Sequence, residues 1–422
     1  MSESISYSEA ERVARDSYGR LLAYLSARSH DIAAAEDALA DAFAAALRTW
    51  PERGVPGKPE AWLLTTARRR MLDERRHRKV VEAASGELAL MATETLIQTD
   101  VDAIPDDRLK LLFICAHPAI DAAARGPLML QTVLGLDVAR MANAFLVAPA
   151  TLSQRLVRAK SRIRKAGIPF DCPDLAALPA RLQDVLDSLY AAYGTGWEDV
   201  EGGDSRRRGL TAEAIDVCRT LAMLLPEQAE PLGLLALMLF CEARAGARRT
   251  PEGAYVPLEQ QDVSSWNTTM LREAEAVLLK AASLESLGPY QLEAAIQSAH
   301  TQRKFGYPVE PQNVVALYEG LVRLRCSIGA VVGLASARGA AGDAAGGLAT
   351  LDALPPSDIR SYQPYWAARA YLLKSCGKSE EAGEAYKMAI GLSVTPAVRH
   401  HLLKLQAELA AEPSMLPPVS PD

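Results

Sequence analysis

Apolar residues recur three and four positions apart along most of the chain, which is the spacing of one buried face of an α-helix. Alternating runs of Val, Ile and Thr, which favour strands, are rare. Helices are therefore predicted at about residues 8–28, 31–49, 58–79, 81–95 and 180–193, in a bundle over 106–165 broken at His117-Pro118 and Gly126-Pro127, and in alternation with turns from Thr211 to about residue 411. This pattern predicts an all-α protein.

The most informative segment is residues 135–165, where two short helices are predicted around a turn. Pro149 suits the first turn of the second helix. The apolar face of the first helix consists of Val138, Met141, Ala142 and Phe145. In the second helix the predicted buried stripe is Leu152, Leu156, Ala159 and Ile163, and another face carries Arg155, Arg158, Arg162 and Lys165. This arrangement is typical of a helix-turn-helix that binds DNA.

Charge strengthens that interpretation. Between Val138 and Phe170 there are seven basic residues and no acidic one. A solvated basic face usually carries compensating carboxylates, so their absence favours phosphate contact. The net charge is +3 over residues 1–170 and −9 over residues 171–422. We therefore expect the front of the chain to bind nucleic acid and the acidic remainder to bind protein.

Length and composition limit the classes of protein to which this chain can belong. A chain of 422 residues is expected to form two to four domains. No apolar run approaches the ~20 residues of a membrane span, and no secretory leader is recognisable, so a cytoplasmic protein without a membrane partner is expected. The six cysteines form no Cys-x-x-Cys pair and are expected to be reduced core residues.

Four blocks of the sequence, taken together and in this order, resemble one known family of proteins. They are Ala35–Phe43, Trp50–Leu63, Thr66–Arg76 and residues 106–166. The first three resemble the first folded domain of an extracytoplasmic-function (ECF) sigma factor, and the fourth resembles its second domain. Further blocks at 167–170, 230–238, 256–262 and 288–296 are similar to ECF sigma factors with a long helical C-terminal extension.

The resemblance implies a domain order and a function. A region 2-like domain is expected at 1–95, a linker at 96–105, a region 4-like helix-turn-helix domain at 106–170 and a helical extension at 180–411. Two small helical domains that bind DNA and polymerase would thus precede a helical-repeat domain. Sigma factors bind core RNA polymerase and direct it to promoter DNA, and both are the expected partners. Regulation by the extension is also expected.

The resemblance also implies binding residues. Core polymerase would contact an acidic helix through Asp31, Glu36, Asp37 and Asp41. A solubilising acidic face is the alternative for each of these residues. The −10 element would be contacted by Arg68, Arg69, Arg70, Arg75 and Arg76, and the −35 element by Thr151, Ser153, Gln154, Arg155, Arg158 and Lys160. Arginine suits both contacts, since its guanidinium pairs with phosphates and stacks on bases. Position 69 is usually asparagine in the family, which leaves base preference open.

A repeat is predicted near the end of the chain, at about 328–395. Small and aromatic residues there have tetratricopeptide (TPR) spacing: Trp366, Ala370, Leu373, Gly377, Ala382, Tyr386 and Ala389. Gly342 marks a degenerate copy upstream. Such helix pairs expose a concave surface that suits a protein partner. For residues 180–325, generic helical hairpins forming a compact lid are an equally good interpretation.

Nothing in the sequence indicates an enzyme. The histidines lack metal-ligand spacing and no nucleophile elbow is present, so neither a metal nor a cofactor is expected. His117 is expected to cap a turn or to lie in the core. Two alternatives remain beside the sigma factor: a helix-turn-helix regulator that never binds polymerase and uses the repeats as a sensor, and a scaffold of helical repeats.

Overall fold

The computed structural model describes residues 2–83, 107–144, 147–171, 178–197 and 205–411. Its helices are α1 (Ser2–Ser29), α2 (Ile32–Arg53), α3 (Pro59–Ala83), α4 (Arg108–Cys115), α5 (Ala122–Leu134), α6 (Val138–Ala144), α7 (Pro149–Ala166), α8 (Leu178–Trp197), α9 (Ser205–Leu224), α10 (Ala229–Glu242), α11 (Thr268–Ala282), α12 (Pro289–Thr301), α13 (Pro311–Leu324), α14 (Ile328–Ala340), α15 (Ala344–Asp352), α16 (Pro356–Ile359), α17 (Gln363–Ser375), α18 (Ser379–Leu392) and α19 (Pro396–Ala411). The described ranges contain one isolated β-bridge and no strand, so the predicted all-α class is confirmed. The chain divides into two units, 1–221 and 222–422.

Helices α1–α3 enclose the first core of the first unit. Asp31 caps α2 as the sequence indicates, because its Oδ1 accepts a hydrogen bond from the Ala34 amide at 3.2 Å. Trp50 is 2% exposed and meets Trp62 edge to face at 5.6 Å, so the two rings pack together at this core. The helix predicted at 81–95 lies outside the described residues beyond Ala83, and so does the linker at 96–105.

The second bundle begins with α4 and α5 and corrects one expectation. A break was expected at Gly126-Pro127, yet α5 continues through Pro127 to Leu134. A proline costs the helix one backbone hydrogen bond. Here the burial of the residues that follow outweighs that cost, since Leu128 and Val133 are 0% exposed. The break at His117-Pro118 is confirmed, and the His117 Nδ1 accepts from the Ala119 amide at 3.1 Å, as a capping histidine does.

The two predicted helices of the helix-turn-helix are α6 and α7. Pro149 lies in the first turn of α7, and the buried residues of α7 are those predicted from its sequence, Leu152, Leu156, Ala159 and Ile163. Gly135 and Gly167 take left-handed backbone angles, at φ 68° and 60°, before α6 and after α7. Phe145 and Leu146, in the turn between the helices, lie outside the described residues.

Helix α8 packs on α4 and α5 within the first unit. Its buried face consists of Leu182, Val185, Leu186, Leu189 and Tyr193. The sequence predicts a helix at 180–193, since glycines follow Tyr193, but α8 continues through Gly194 to Trp197. Tyr193 is 3% exposed on the buried face of this helix. Residues 198–204 lie outside the described residues.

The second unit is built from antiparallel helix neighbours that follow one another along the chain. Helix α10 is apolar almost throughout and is covered by α11 and α12. The segment between α10 and α11 is irregular, as the sequence predicts near 247–262. Further along, α14 pairs with α15 and α17 pairs with α18, with Gly342 and Gly377 at φ 89° and 75° in the two turns. The helix pairs expected at about 328–395 are therefore present.

None of the described helices is both long enough and apolar enough to cross a membrane.

Candidate functional site

The acidic residues of α2 fall into two groups. Asp37 and Asp41 are exposed. Asp31 and Glu36 are largely covered, with side chains 17% and 19% exposed. Of the four residues predicted to bind polymerase, Asp37 and Asp41 therefore lie at the surface. Asp31 and Glu36 lie against α7 of the first unit.

The arginines of α3 lie next to the exposed acidic residues of α2. Arg68 is half-buried with its guanidinium 5.6 Å from the centre of the Tyr24 ring, and Arg69 is exposed. Arg70 lies 3.7 Å from Asp41, so a residue expected to contact DNA and one expected to contact polymerase are neighbours. For Arg75 and Arg76 the backbone continues α3, and their side chains lie outside the description.

The exposed face of α7 carries most of the residues predicted for the −35 element. Thr151, Ser153, Gln154 and Arg158 are exposed, and Arg155 is half-exposed. They begin at the N-terminal end of α7, the end that a recognition helix presents to base edges. The buried stripe on the opposite side holds this face outward.

Lys160 departs from this group. Its ammonium donates to the Glu36 carboxylate of α2, and only 11% of its side chain is exposed. One turn further, Arg164 lies 3.4 Å from Asp31. The role of Arg164 was not foreseen from the sequence. No local signal could have found it, because 133 residues separate the two partners.

Burial governs the ionisation of the groups near this contact. It raises the pKa of Glu36, while the Lys160 ammonium counteracts part of that rise. Burial also raises the pKa of the neighbouring Tyr18 phenol, and the Glu36 and Asp37 carboxylates add to this shift. Tyr18 therefore stays neutral, and Lys160 is what favours the charged form of Glu36.

No group of three or more His, Cys, Asp or Glu side chains in the described part of the chain could hold a metal ion.

Comparison with known proteins identifies the first three helices. Residues 13–80 match the family model described as Sigma-70 region 2. This range covers most of α1 and α3 and all of α2. This N-terminal region 2 domain supports a sigma-70-type factor. Region 2 implies binding to core RNA polymerase and a non-enzymatic role in transcription initiation.

Two further comparisons extend along the rest of the chain. Residues 181–282 match a family of unknown function (DUF6596), in a range that begins within α8 and ends with α11. An uncharacterized protein of Rhizobium meliloti (strain 1021) is 35% identical over 407 residues, which is 94% of each chain, and this chain belongs to the family of that protein. No solved structure matches the chain.

Proposed function

We propose that this sigma-70-type factor is of the ECF kind. In this proposal α2 binds core polymerase, α3 contacts the −10 element and α7 contacts the −35 element. The C-terminal extension regulates the two sigma domains.

The observation that carries the proposal is the surface of α7. One side of this helix is buried, and the other presents Ser153 and Gln154 and, one turn further, Arg158. Short polar groups and arginines on an exposed helix preceded by a short packed helix suit base edges and phosphates in a major groove. The match to sigma-70 region 2 supports a factor that acts with polymerase, and it disfavours both a free helix-turn-helix regulator and a pure scaffold.

Regulation by the extension is supported by the position of α8. Residues that match the family of unknown function begin at 181, and α8 packs on the helix-turn-helix domain. The Arg125 guanidinium lies 2.8 Å from the Asp184 carboxylate, and Arg181 donates to the Phe113 carbonyl at 2.9 Å. Since α5 also packs against α7, a shift of α8 would be transmitted to the proposed recognition helix.

The second unit supplies a surface for a partner in this proposal. Helix pairs α14–α15 and α17–α18 pack in succession, and their cores contain the small residues Ala335, Ala370 and Ala382. Small residues let paired helices approach closely, as in tetratricopeptide repeats. A protein partner on these TPR-like pairs is part of the proposal.

Transcription with purified components tests the promoter contacts. The full chain added to sigma-free core polymerase should produce discrete start sites on genomic DNA. Arg155→Ala and Arg158→Ala should each reduce that transcription, and each should cost ~1–3 kcal/mol at one base pair or about one phosphate in the salt dependence. Arg272→Ala, an exposed arginine of α11, is the matched control. Unchanged transcription in both α7 variants would contradict the assignment.

Charge reversal tests the polymerase contact. Asp37→Lys combined with Asp41→Lys should weaken association with core polymerase, since both carboxylates are exposed on α2 and complementary charge sets docking rate and register. The control is Glu380→Lys combined with Glu384→Lys, which reverses two exposed carboxylates at the same spacing on α18. Equal co-purification of both double variants with polymerase would rule out this surface.

A further inference from the structure

The connection between α10 and α11, residues 243–267, contains a small hairpin. Arg249 and Tyr255 form an isolated antiparallel bridge, and Gly253 takes a left-handed backbone at φ 89° in the turn between them. Just beyond the bridge, a backbone hydrogen bond of 2.8 Å joins the two arms. These bonds give residues 249–258 a defined path, and we call this segment the strap.

Two basic side chains just after α12 hold the base of the strap. The Arg303 guanidinium donates to the carbonyls of Leu258 and Glu259 at 2.6 and 3.0 Å. The Lys304 ammonium donates to the carbonyls of residues 263 and 264 at 2.6 and 2.9 Å. Hydrogen bonds from charged donors are stronger than those from neutral donors. The C-terminal end of the strap is therefore fixed at the end of α12.

The strap reaches the far end of the helical array. Its Tyr255 ring meets the His401 ring of α19 edge to face, with the ring centres 5.5 Å apart. From α10 to α19 the helices pack mainly on their neighbours in sequence, and α19 is the last of them. A segment that leaves after α10 and touches α19 therefore crosses one face of the array. We call this face, on which His401 lies, the strap face.

The strap has the composition of a docked peptide. Its residues 254–258 are Ala-Tyr-Val-Pro-Leu, and Pro257 has extended backbone angles, φ −56° and ψ 152°. Extended segments that contain proline dock on protein surfaces at low entropic cost, and stacked helix pairs offer such surfaces to partners. Pro251 and Glu252 at the tip are exposed, whereas Tyr255 is half-buried. The tyrosine thus anchors the tip of the strap on α19.

We propose that the strap is an internal substitute for a peptide of a protein partner. The partner segment is extended, carries an aromatic residue with a proline two positions later, and places its ring on His401 after the tip of the strap is displaced. This deepens the partner surface of the proposed function and rests on it, while the contact of Tyr255 with His401 rests on the structure alone. Because a tethered segment acts at high effective concentration, the strap excludes peptides that bind the strap face more weakly than it does.

Chemical modification of histidines in the full chain tests the contact. Diethyl pyrocarbonate acylates accessible imidazoles, and mass spectrometry separates His401 from its exposed neighbour His400. Tyr255→Ala should raise the rate at His401 by about threefold or more, because the ring no longer covers it, and should leave the rate at His400 unchanged. Tyr255→Phe should keep the wild-type rate, and so should Tyr307→Ala, which removes an exposed tyrosine near α12. Equal rates at His401 in Tyr255→Ala and wild type would overturn the proposal.

A synthetic peptide with the sequence of residues 250–258 tests the partner chemistry. At millimolar concentration, which matches that of a tethered strap, it should return the His401 rate of Tyr255→Ala to the wild-type value. The same peptide with alanine in place of its tyrosine is the control and should not protect His401. Failure of the first peptide, or equal protection by both, would overturn the proposal. Protection by the first peptide in a chain that never directs transcription would contradict the proposed function and leave the strap standing.

Discussion

A single carboxylate joins two helices of the second unit. The first amides of α12 lack a partner within the helix, and the residue before it, Gly288, has no side chain to cap them. Glu230 of α10 supplies both oxygens, which accept from the amides of Tyr290 and Gln291 at 3.0 and 3.1 Å. A Cβ on Gly288 would lie 2.2 Å from the Glu230 carboxyl carbon, so a side chain there would displace this carboxylate from the start of α12.

The first prediction concerns this carboxylate. Glu230→Ala should lower the free energy of unfolding by ~1–3 kcal/mol, because two amides at the start of α12 lose a charged acceptor. Urea unfolding measures the change. Glu227→Ala, an exposed carboxylate in the turn before α10, should change stability by less than ~0.5 kcal/mol. Equal stability of the two variants would show that water replaces the cap.

At the residue scale, sequence predicts what is local. The N-cap Asp31 and the buried stripe of α7 follow from neighbours within four positions, and both are confirmed. The partner of Lys160 could not be predicted, because Glu36 lies 124 residues away and periodicity gives no information on which helices meet. The charges of α7 predicted that Lys160 would belong to its exposed basic surface. In the structure Lys160 instead contacts Glu36 of α2.

At the element scale, the two corrections have one cause. Sequence rules place a break at Pro127 and a loop after Tyr193, since proline and glycine lower helix stability by about 1–3 kcal/mol each. In the structure both helices continue, and apolar side chains next to each breaker are buried. Burial of several such side chains exceeds the local cost. Tertiary packing therefore decides where α5 and α8 end.

A pH dependence is predicted for helix α12. Burial lowers the pKa of His300 near the end of this helix, with Arg244 and Arg303 adding to the shift and Glu259 opposing it. The unfolded chain, with a histidine pKa near 6.5, then binds the proton more readily than the folded chain. The contribution of neutral, buried His300 to the free energy of unfolding is therefore present at neutral pH, and it is lost as the pH falls through about 6.5.

Unfolding midpoints between pH 7.5 and 5.5 test this. His300→Gln should flatten the loss of stability on acidification, because the variant has no buried imidazole to protonate on unfolding. His400→Gln, at an exposed position of α19, should keep the wild-type dependence. Identical pH profiles for wild type and His300→Gln would remove His300 as the cause.

At the scale of the whole molecule, the sequence predicted the all-α class, which the structure confirms. The extension was expected to begin at about residue 180, separate from the helix-turn-helix domain. In the structure α8 lies within the first unit, residues 1–221. The helices that α8 contacts depend on long-range packing, which the spacing of residues along the chain cannot reveal. A segment matched to a different family therefore shares a core with the proposed −35 domain.

Two truncations separate stability from regulation. Residues 1–171 lack α8, whereas residues 1–204 keep it. The shorter chain loses the burial of Val185, Leu186 and Leu189 and should be less stable to urea by ~3 kcal/mol or more, since each such side chain contributes ~1.5–3 kcal/mol. Equal unfolding midpoints for the two truncations would mean that α4 and α5 do not depend on α8.

The longer truncation then tests the extension itself. Residues 1–204 retain α1–α8, with every residue proposed to contact polymerase or promoter, and lack the second unit entirely. A tethered unit acts at high effective concentration, so even weak action on the sigma domains should alter their activity. We expect transcription by the truncated chain to differ clearly from that of the full chain at matched concentration with purified polymerase. Equal transcription by both would show that neither the second unit nor residues 205–221 of the first unit, which the truncation also removes, acts on the sigma domains.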